Sequence, residues 1–87
     1  RFVEAMVDGA VELGLSQEDA TTLTIQTIVG AAKLLDQSGD SPTTLREKVT
    51  SPNGTTFAAL NSFNDSNISA TVAKAMKAAR DRSQELA

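Results

Sequence analysis

Apolar residues recur every three or four positions along most of the chain, and the interruptions fall at Gly, Pro, Ser and Asn. Phe2, Val3, Met6, Ala10 and Leu13 predict a helix over residues 2–13. Gly14 suits the left-handed position that ends a helix, and Leu15 is placed for the apolar contact that usually follows. Ser16, with Asp19 three residues on, signals the start of a second helix running from about Gln17 to Ser38, with Gly39 to stop it. Its apolar residues, among them Ala20, Leu23, Ile25, Ile28, Val29 and Leu34, spread around much of the cylinder. A helix apolar on most sides is expected to be buried on most sides. Gly30, beside Ala31 and Ala32, costs up to ~1 kcal/mol in helix propensity and points to close approach by another helix, from this chain or a second subunit.

Ser41 as N-cap and Pro42 at the first helical position predict a short third helix through about Val49. Phe57, Leu60 and Phe63 predict a fourth helix of two to three turns. Asn64-Asp65-Ser66-Asn67 should break it and cap a fifth, with a stripe at Ile68, Val72, Ala75, Met76, Ala79 and Leu86. Strand-like alternation is never sustained. The fold class is all-α, with about five helices in one domain over residues 1–87.

Composition limits what such a chain can do. It has 87 residues, 40% of them hydrophobic, but its only aromatics are Phe2, Phe57 and Phe63, and Ala supplies many of the rest. Ala buries little area, so the core is thin, and with no Cys to staple it, oligomerisation is the expected source of further burial. Absence of both Cys and His excludes thiol nucleophiles, imidazole bases and zinc ligation through these residues. A net charge of -3 argues against nucleic acid and anionic membranes as partners. No apolar run approaches the roughly 20 residues that span a bilayer. The lack of Cys fits a reducing compartment, and a cytoplasmic location is expected. The chain opens on Arg1 rather than Met, which suggests a start inside a longer polypeptide.

Between the third and fourth helices stand Thr50-Ser51-Pro52-Asn53-Gly54-Thr55-Thr56, seven residues where two or three would turn the chain. Asn53-Gly54 would suit a hairpin, but no strands flank it. The N–H groups of Gly54, Thr55 and Thr56 should open the fourth helix without partners inside it. Together with the positive end of the helix dipole they would make an anion site. Gly54 would let a ligand approach the backbone, and Ser51, Thr55 and Thr56 add hydroxyls. No Lys or Arg is present, which suits a small carboxylate better than a triphosphate. A capped loop with no ligand fits the same residues. Glu4, Asp8 and Glu12 lie on one helix face and read as a solvated acidic surface rather than a cation site. The stretch from Asp36 is not a calcium loop, because Gly39 falls at the wrong position. Three glycosylation patterns, at Asn53, Asn64 and Asn67, have nothing else to support them. Lys74, Lys77, Arg80 and Arg82 gather toward the end of the fifth helix, where they would complement its dipole.

The run "VTSPNGTTFAALNSF", residues 49–63, resembles the signature of pyrroline-5-carboxylate reductases, usually Val-Thr-Ser-Pro-Gly-Gly-Thr-Thr followed by a short apolar helix. "FVEAMVDGAVELGL" and "GLSQEDATTLTIQTIVGAAKLLDQSGDSPTTLREKVTSP" are similar to the preceding region, and the ending from Met76 to Leu86 also matches, so the resemblance covers nearly the whole chain. One departure is Asn53, where the family commonly has its first Gly.

The resemblance implies a C-terminal dimerisation domain, like that of 6-phosphogluconate dehydrogenase, with helices interleaved between subunits of a homodimer or higher homo-oligomer. It implies reduction of 1-pyrroline-5-carboxylate to L-proline with NADPH or NADH, as the last step of proline biosynthesis. The cofactor would belong to an N-terminal Rossmann domain. This chain has no G-x-G-x-x-G after a strand, so no cofactor-binding residue is assigned in it, no metal is expected, and the chain alone should be inactive. Carried over by position, Ser51, Gly54, Thr55 and Thr56 would hold the substrate carboxylate. Thr56 would also face the ring nitrogen as the catalytic residue. Two other readings fit the residues: a same-fold domain of a paralogous NAD(P)-dependent oxidoreductase acting on another imine or small acid, and a non-enzymatic helical dimerisation module.

Overall fold

The computed structural model describes residues 1–87 and is all-helical: α1 (Phe2–Glu12), α2 (Gln17–Ser38), α3 (Pro42–Lys48), α4 (Thr55–Asp65) and α5 (Ile68–Leu86). The chain separates into two compact units, Arg1–Leu45 and Arg46–Ala87, with the boundary inside α3.

The first unit is built on the α1–α2 hairpin, and its joint is determined by backbone chemistry. The Leu15 N–H donates to the Ala10 carbonyl (3.1 Å) and the Gly14 N–H to the Val11 carbonyl (3.0 Å). This paired closure needs a residue of positive φ beyond the helix end, and Gly14 supplies it at φ 112°. Ser16 then caps α2 from extended backbone, its Oγ accepting the Asp19 N–H at 3.1 Å. At the far end Gly39 is left-handed, as expected of a stop residue. Ser41 opens α3 in the same way as Ser16, accepting the Thr44 N–H at 3.1 Å.

Burial in this unit differs from the sequence expectation. Its buried side chains are Val7, Ala20 and Thr24. Val7 lies outside the stripe read for α1, and Leu13, assigned to that stripe, sits in the cap and is 90% exposed. On α2 only the Ala20/Thr24 face is covered. Leu23, Ile25, Val29 and Leu34 remain about half exposed, so the expected burial on most sides does not occur within one chain. Nothing lies within 4 Å of where a Cβ on Gly30 would stand. Within this unit no helix makes the close approach read from Gly30.

The second unit pairs α4 with α5 and buries no side chain fully. Helix α4 continues through Asn64 and Asp65, so the break falls later than the Asn-Asp-Ser-Asn run suggests. Asn67 does not cap α5 through its side chain. It turns the chain by adopting φ 62°, ψ 47°, a conformation that Asn tolerates better than most residues. The stripe on α5 is uncovered: Val72 is 50% exposed and Met76 68%. The basic residues of α5 are mostly matched on their own helix, Lys77 and Arg80 with Asp81 and Arg82 with Glu85. None lies in the last turn, which corrects the role at the helix dipole read from sequence. Exposed pairs of this kind contribute little stability. No helix is long and apolar enough to cross a membrane.

Candidate functional site

The segment from Thr50 to Thr56 lies within the second unit and is ordered by its own hydrogen bonds. Helix α3 stops at Lys48. Thr50 closes its end twice: its N–H donates to the Glu47 carbonyl (3.2 Å) and its hydroxyl to the Arg46 carbonyl. The chain then reverses through Ser51-Pro52-Asn53-Gly54. The Gly54 N–H donates to the Ser51 carbonyl at 2.9 Å, and Asn53 has φ 61°. Pro at the second turn position and positive φ at the third define a type II turn, in which Gly or Asn is favoured at the third.

This geometry gives two neighbours different tasks. Asn53, not Gly54, occupies the left-handed position, and Gly54 itself has an ordinary φ of -83°. Gly at 54 meets a different constraint. A Cβ there would stand 3.2 Å from the Ser51 carbonyl oxygen, tighter than such contacts normally run, and 3.4 Å from the Ser51 Cβ. The Gly54 N–H is also not an open donor, as its place before α4 had suggested, because the turn uses it.

The donors that do remain open begin one residue later. The first N–H bonded along α4 is that of Ala58, which donates to the Gly54 carbonyl (3.1 Å), and no side chain caps the helix start. Thr55, Thr56 and Phe57 therefore present three N–H groups without in-chain acceptors, at the positive end of an 11-residue helix. Phe57 was not among the N–H donors read from sequence, although its position as third in the helix would have included it. Hydroxyls follow the same logic. Thr21 and Thr27, inside α2, bond back to the carbonyls of Gln17 and Leu23. Thr55 and Thr56 stand in the first turn of α4, where no preceding turn offers such an acceptor. Their hydroxyls and that of Ser51 make no hydrogen bond within the chain.

The four residues assigned by position thus fall on one continuous structural element: Ser51 opens the turn, Gly54 closes it, and Thr55 and Thr56 begin the helix. Gly54 and Thr56 are half-buried, Ser51 and Thr55 exposed. The element carries no charged side chain. It can offer neutral donors to a small anion, and it contains neither a general base nor a metal ligand. Elsewhere, the indentation lined by Ala73, Met76, Lys77 and Arg80 lies along the single helix α5, beyond its first turn. Glu4, Asp8 and Glu12 are exposed on α1, and no group of three or more acidic residues is close enough to hold a metal ion.

Fold and site together define an all-helical domain in which a neutral turn leads directly into the open N–H groups of a helix start. Residues 1–86 match the family described as pyrroline-5-carboxylate reductase dimerisation, and the chain belongs to that family. It is 49% identical over 86 residues to the pyrroline-5-carboxylate reductase of Pseudomonas aeruginosa, covering 99% of this chain and 32% of that protein. Among solved structures it is similar to a pyrroline-5-carboxylate reductase from Coxiella burnetii, with TM-score 0.93 and 40% identity, over 99% of this chain and 32% of that one. It is also similar to the Plasmodium falciparum pyrroline carboxylate reductase with NADP bound, with TM-score 0.91 and 33% identity, over 94% of this chain and 31% of that one. The chain spans about a third of the length of the curated relatives it matches.

Proposed function

We propose that the chain is the dimerisation and substrate-binding part of a pyrroline-5-carboxylate reductase, acting in proline biosynthesis in the cytoplasm. The observation that carries the substrate reading is the neutral turn at 51–54 feeding directly into the three open N–H groups of α4. Such an arrangement suits a small monocarboxylate, because the helix dipole and oriented donors favour a negative charge while no side-chain cation is available to demand more than one.

In this reading the N–H groups of Thr55 and Thr56, with the hydroxyls of Ser51 and Thr55, hold the carboxylate of 1-pyrroline-5-carboxylate. Gly54 keeps the backbone clear beside them. The Thr56 hydroxyl is directed to the ring nitrogen. NADPH or NADH, held outside these residues, would supply the hydride for the C=N carbon, and the nitrogen is more basic once the bond is reduced. A hydroxyl beside it gains a stronger hydrogen bond as the basicity rises and orients the nitrogen for protonation by water. A threonine is a weak acid, so its contribution is positioning.

The residues present do not fit a nicotinamide dinucleotide. All five elements are helices, and none is entered from a strand through a glycine-rich turn. The cofactor is held by an N-terminal Rossmann domain in the whole protein, and the 87 residues alone are inactive. The exposed apolar faces of α2 and α5 are covered by interleaving with a second copy, giving a homodimer or a higher homo-oligomer. The test is turnover of 1-pyrroline-5-carboxylate with NAD(P)H, measured on the whole protein and on residues 1–87. Activity confined to the whole protein is expected. No turnover by the whole protein would remove the reaction, and turnover by the 87 residues would remove the division of labour.

A further inference from the structure

We propose that Asn53 is the asparagine of this chain at which an isoaspartyl residue forms spontaneously, and that the Ser51–Gly54 hydrogen bond of the turn sets its rate. The inference rests on backbone chemistry and is independent of what the loop binds. An asparagine side-chain amide is attacked by the backbone nitrogen of the following residue. That nitrogen loses its proton to solvent base and bonds to the side-chain carbonyl carbon. Ammonia leaves with a proton from water, and a five-membered succinimide remains. Water then adds to either ring carbonyl and breaks one C–N bond, leaving aspartate or isoaspartate. No electron transfer is involved.

Four asparagines are present, at 53, 61, 64 and 67, and the structure separates them. Asn61 and Asn64 lie inside α4, as do the residues that follow them, so the attacking nitrogens are tied into the helix ladder. Asn67 is followed by Ile68, whose branched side chain crowds the nitrogen. Asn53 is exposed, lies outside any helix, and is followed by Gly54, which carries no side chain to obstruct attack. What restrains it is the turn. The Gly54 nitrogen holds its proton in a 2.9 Å hydrogen bond to the Ser51 carbonyl, and the peptide is fixed with Asn53 at positive φ. Reaction therefore needs the turn to open. The product places a negative charge in an otherwise neutral loop, and isoaspartate adds a backbone atom that the type II turn cannot accommodate.

The experiment is incubation of the folded, full-length protein at mildly alkaline pH, followed by peptide mapping by mass spectrometry with separation of aspartyl and isoaspartyl forms. Among these four asparagines, conversion is expected at position 53 alone. It should run about three- to tenfold slower than in denaturant, the factor that one intramolecular hydrogen bond supplies. Gly54→Ala, which puts a side chain beside the nucleophile, should slow conversion in denaturant, where the fold has no influence. Earlier conversion at another of the four, or a Gly54→Ala rate equal to wild type in denaturant, would overturn the assignment. Equal rates for folded and denatured wild-type protein would overturn the control by the turn.

Discussion

The Gly54 N–H and the Ser51 carbonyl oxygen lie 2.9 Å apart, and that bond makes the loop a fixed turn. It explains both residues it encloses. Pro52 presets the second turn position, and Asn53 accepts the positive φ at the third. A Gly at position 53 would meet the same backbone demand as the Asn found here.

That demand can be tested directly. Asn53→Gly should leave stability nearly unchanged, while Asn53→Val should lose about 1–2 kcal/mol, the cost of placing an ordinary side chain in left-handed backbone. Chemical denaturation of the two variants beside wild type measures the difference. Equal stability for both would mean that position 53 is not held at positive φ.

Gly54 responds to a different constraint, so its substitutions should behave differently. A Cβ would press on the Ser51 carbonyl at 3.2 Å, and a branched residue would add further crowding beside the open N–H groups. In the whole enzyme, Gly54→Val should raise KM about tenfold and change kcat little, since the loss falls on ground-state binding. Steady-state kinetics in which kcat falls and KM stays constant would place the glycine's role in the chemical step instead.

The caps make a prediction free of any functional assumption. Ser16→Ala removes the acceptor for the Asp19 N–H and should cost about 1 kcal/mol, whereas Ser16→Gly should cost only a few tenths. Denaturant midpoints of the two variants give the comparison, and identical losses would show that the serine oxygen contributes nothing.

Much of the fold was legible in the sequence because local chemistry determined it. Gly14, Ser16, Gly39 and Ser41 each act on their own few residues, and each does in the structure what its type suggests. The covered faces were less legible. Val7 and Thr24 were missed because an apolar count cannot tell which side of a helix another helix will meet. The apolar residues of α2 and α5 are largely exposed, and a pattern of apolar positions does not say what covers it. In the loop, residue types singled out the segment as a candidate. Its internal bonding was hidden, because Pro-Asn-Gly is compatible with more than one turn, and the choice decides which N–H groups stay open.

The open face of α2 leads to the next prediction. Ile25, Ile28, Val29 and Leu34 are each between 38% and 53% exposed, and covering the rest of such side chains contributes on the order of 1 kcal/mol apiece. Gly30 lies among them with empty space where its Cβ would be. Sedimentation equilibrium at micromolar concentration should show a dimer, and Gly30→Leu should weaken it at least about tenfold by overpacking a close contact. A stable folded monomer would remove the dimer, and unchanged association of the variant would take Gly30 out of the interface.

Thr56 separates binding from chemistry most sharply. Its hydroxyl is unbonded within the chain, while its N–H belongs to the row of three donors at the start of α4. Thr56→Ala deletes the first and keeps the second. If the N–H groups hold the carboxylate and the hydroxyl addresses the ring nitrogen, affinity for cyclopentanecarboxylate, which keeps the carboxylate and lacks the nitrogen, should be nearly preserved in the variant. Turnover should fall, because the nitrogen gains basicity only as the C=N bond is reduced. A hydrogen bond to a group of developing charge contributes about 1.5–3 kcal/mol, so kcat should drop roughly ten- to a hundredfold. Thr56→Ser retains the hydroxyl and should recover most of that loss, which a purely structural contribution of the threonine methyl would not. Calorimetric binding of cyclopentanecarboxylate and steady-state kinetics on the same three proteins provide the two axes. Loss of affinity with kcat intact would leave the carboxylate site standing and take the ring nitrogen away from Thr56. Near-normal values on both axes would reduce the whole segment to a turn that joins two helices.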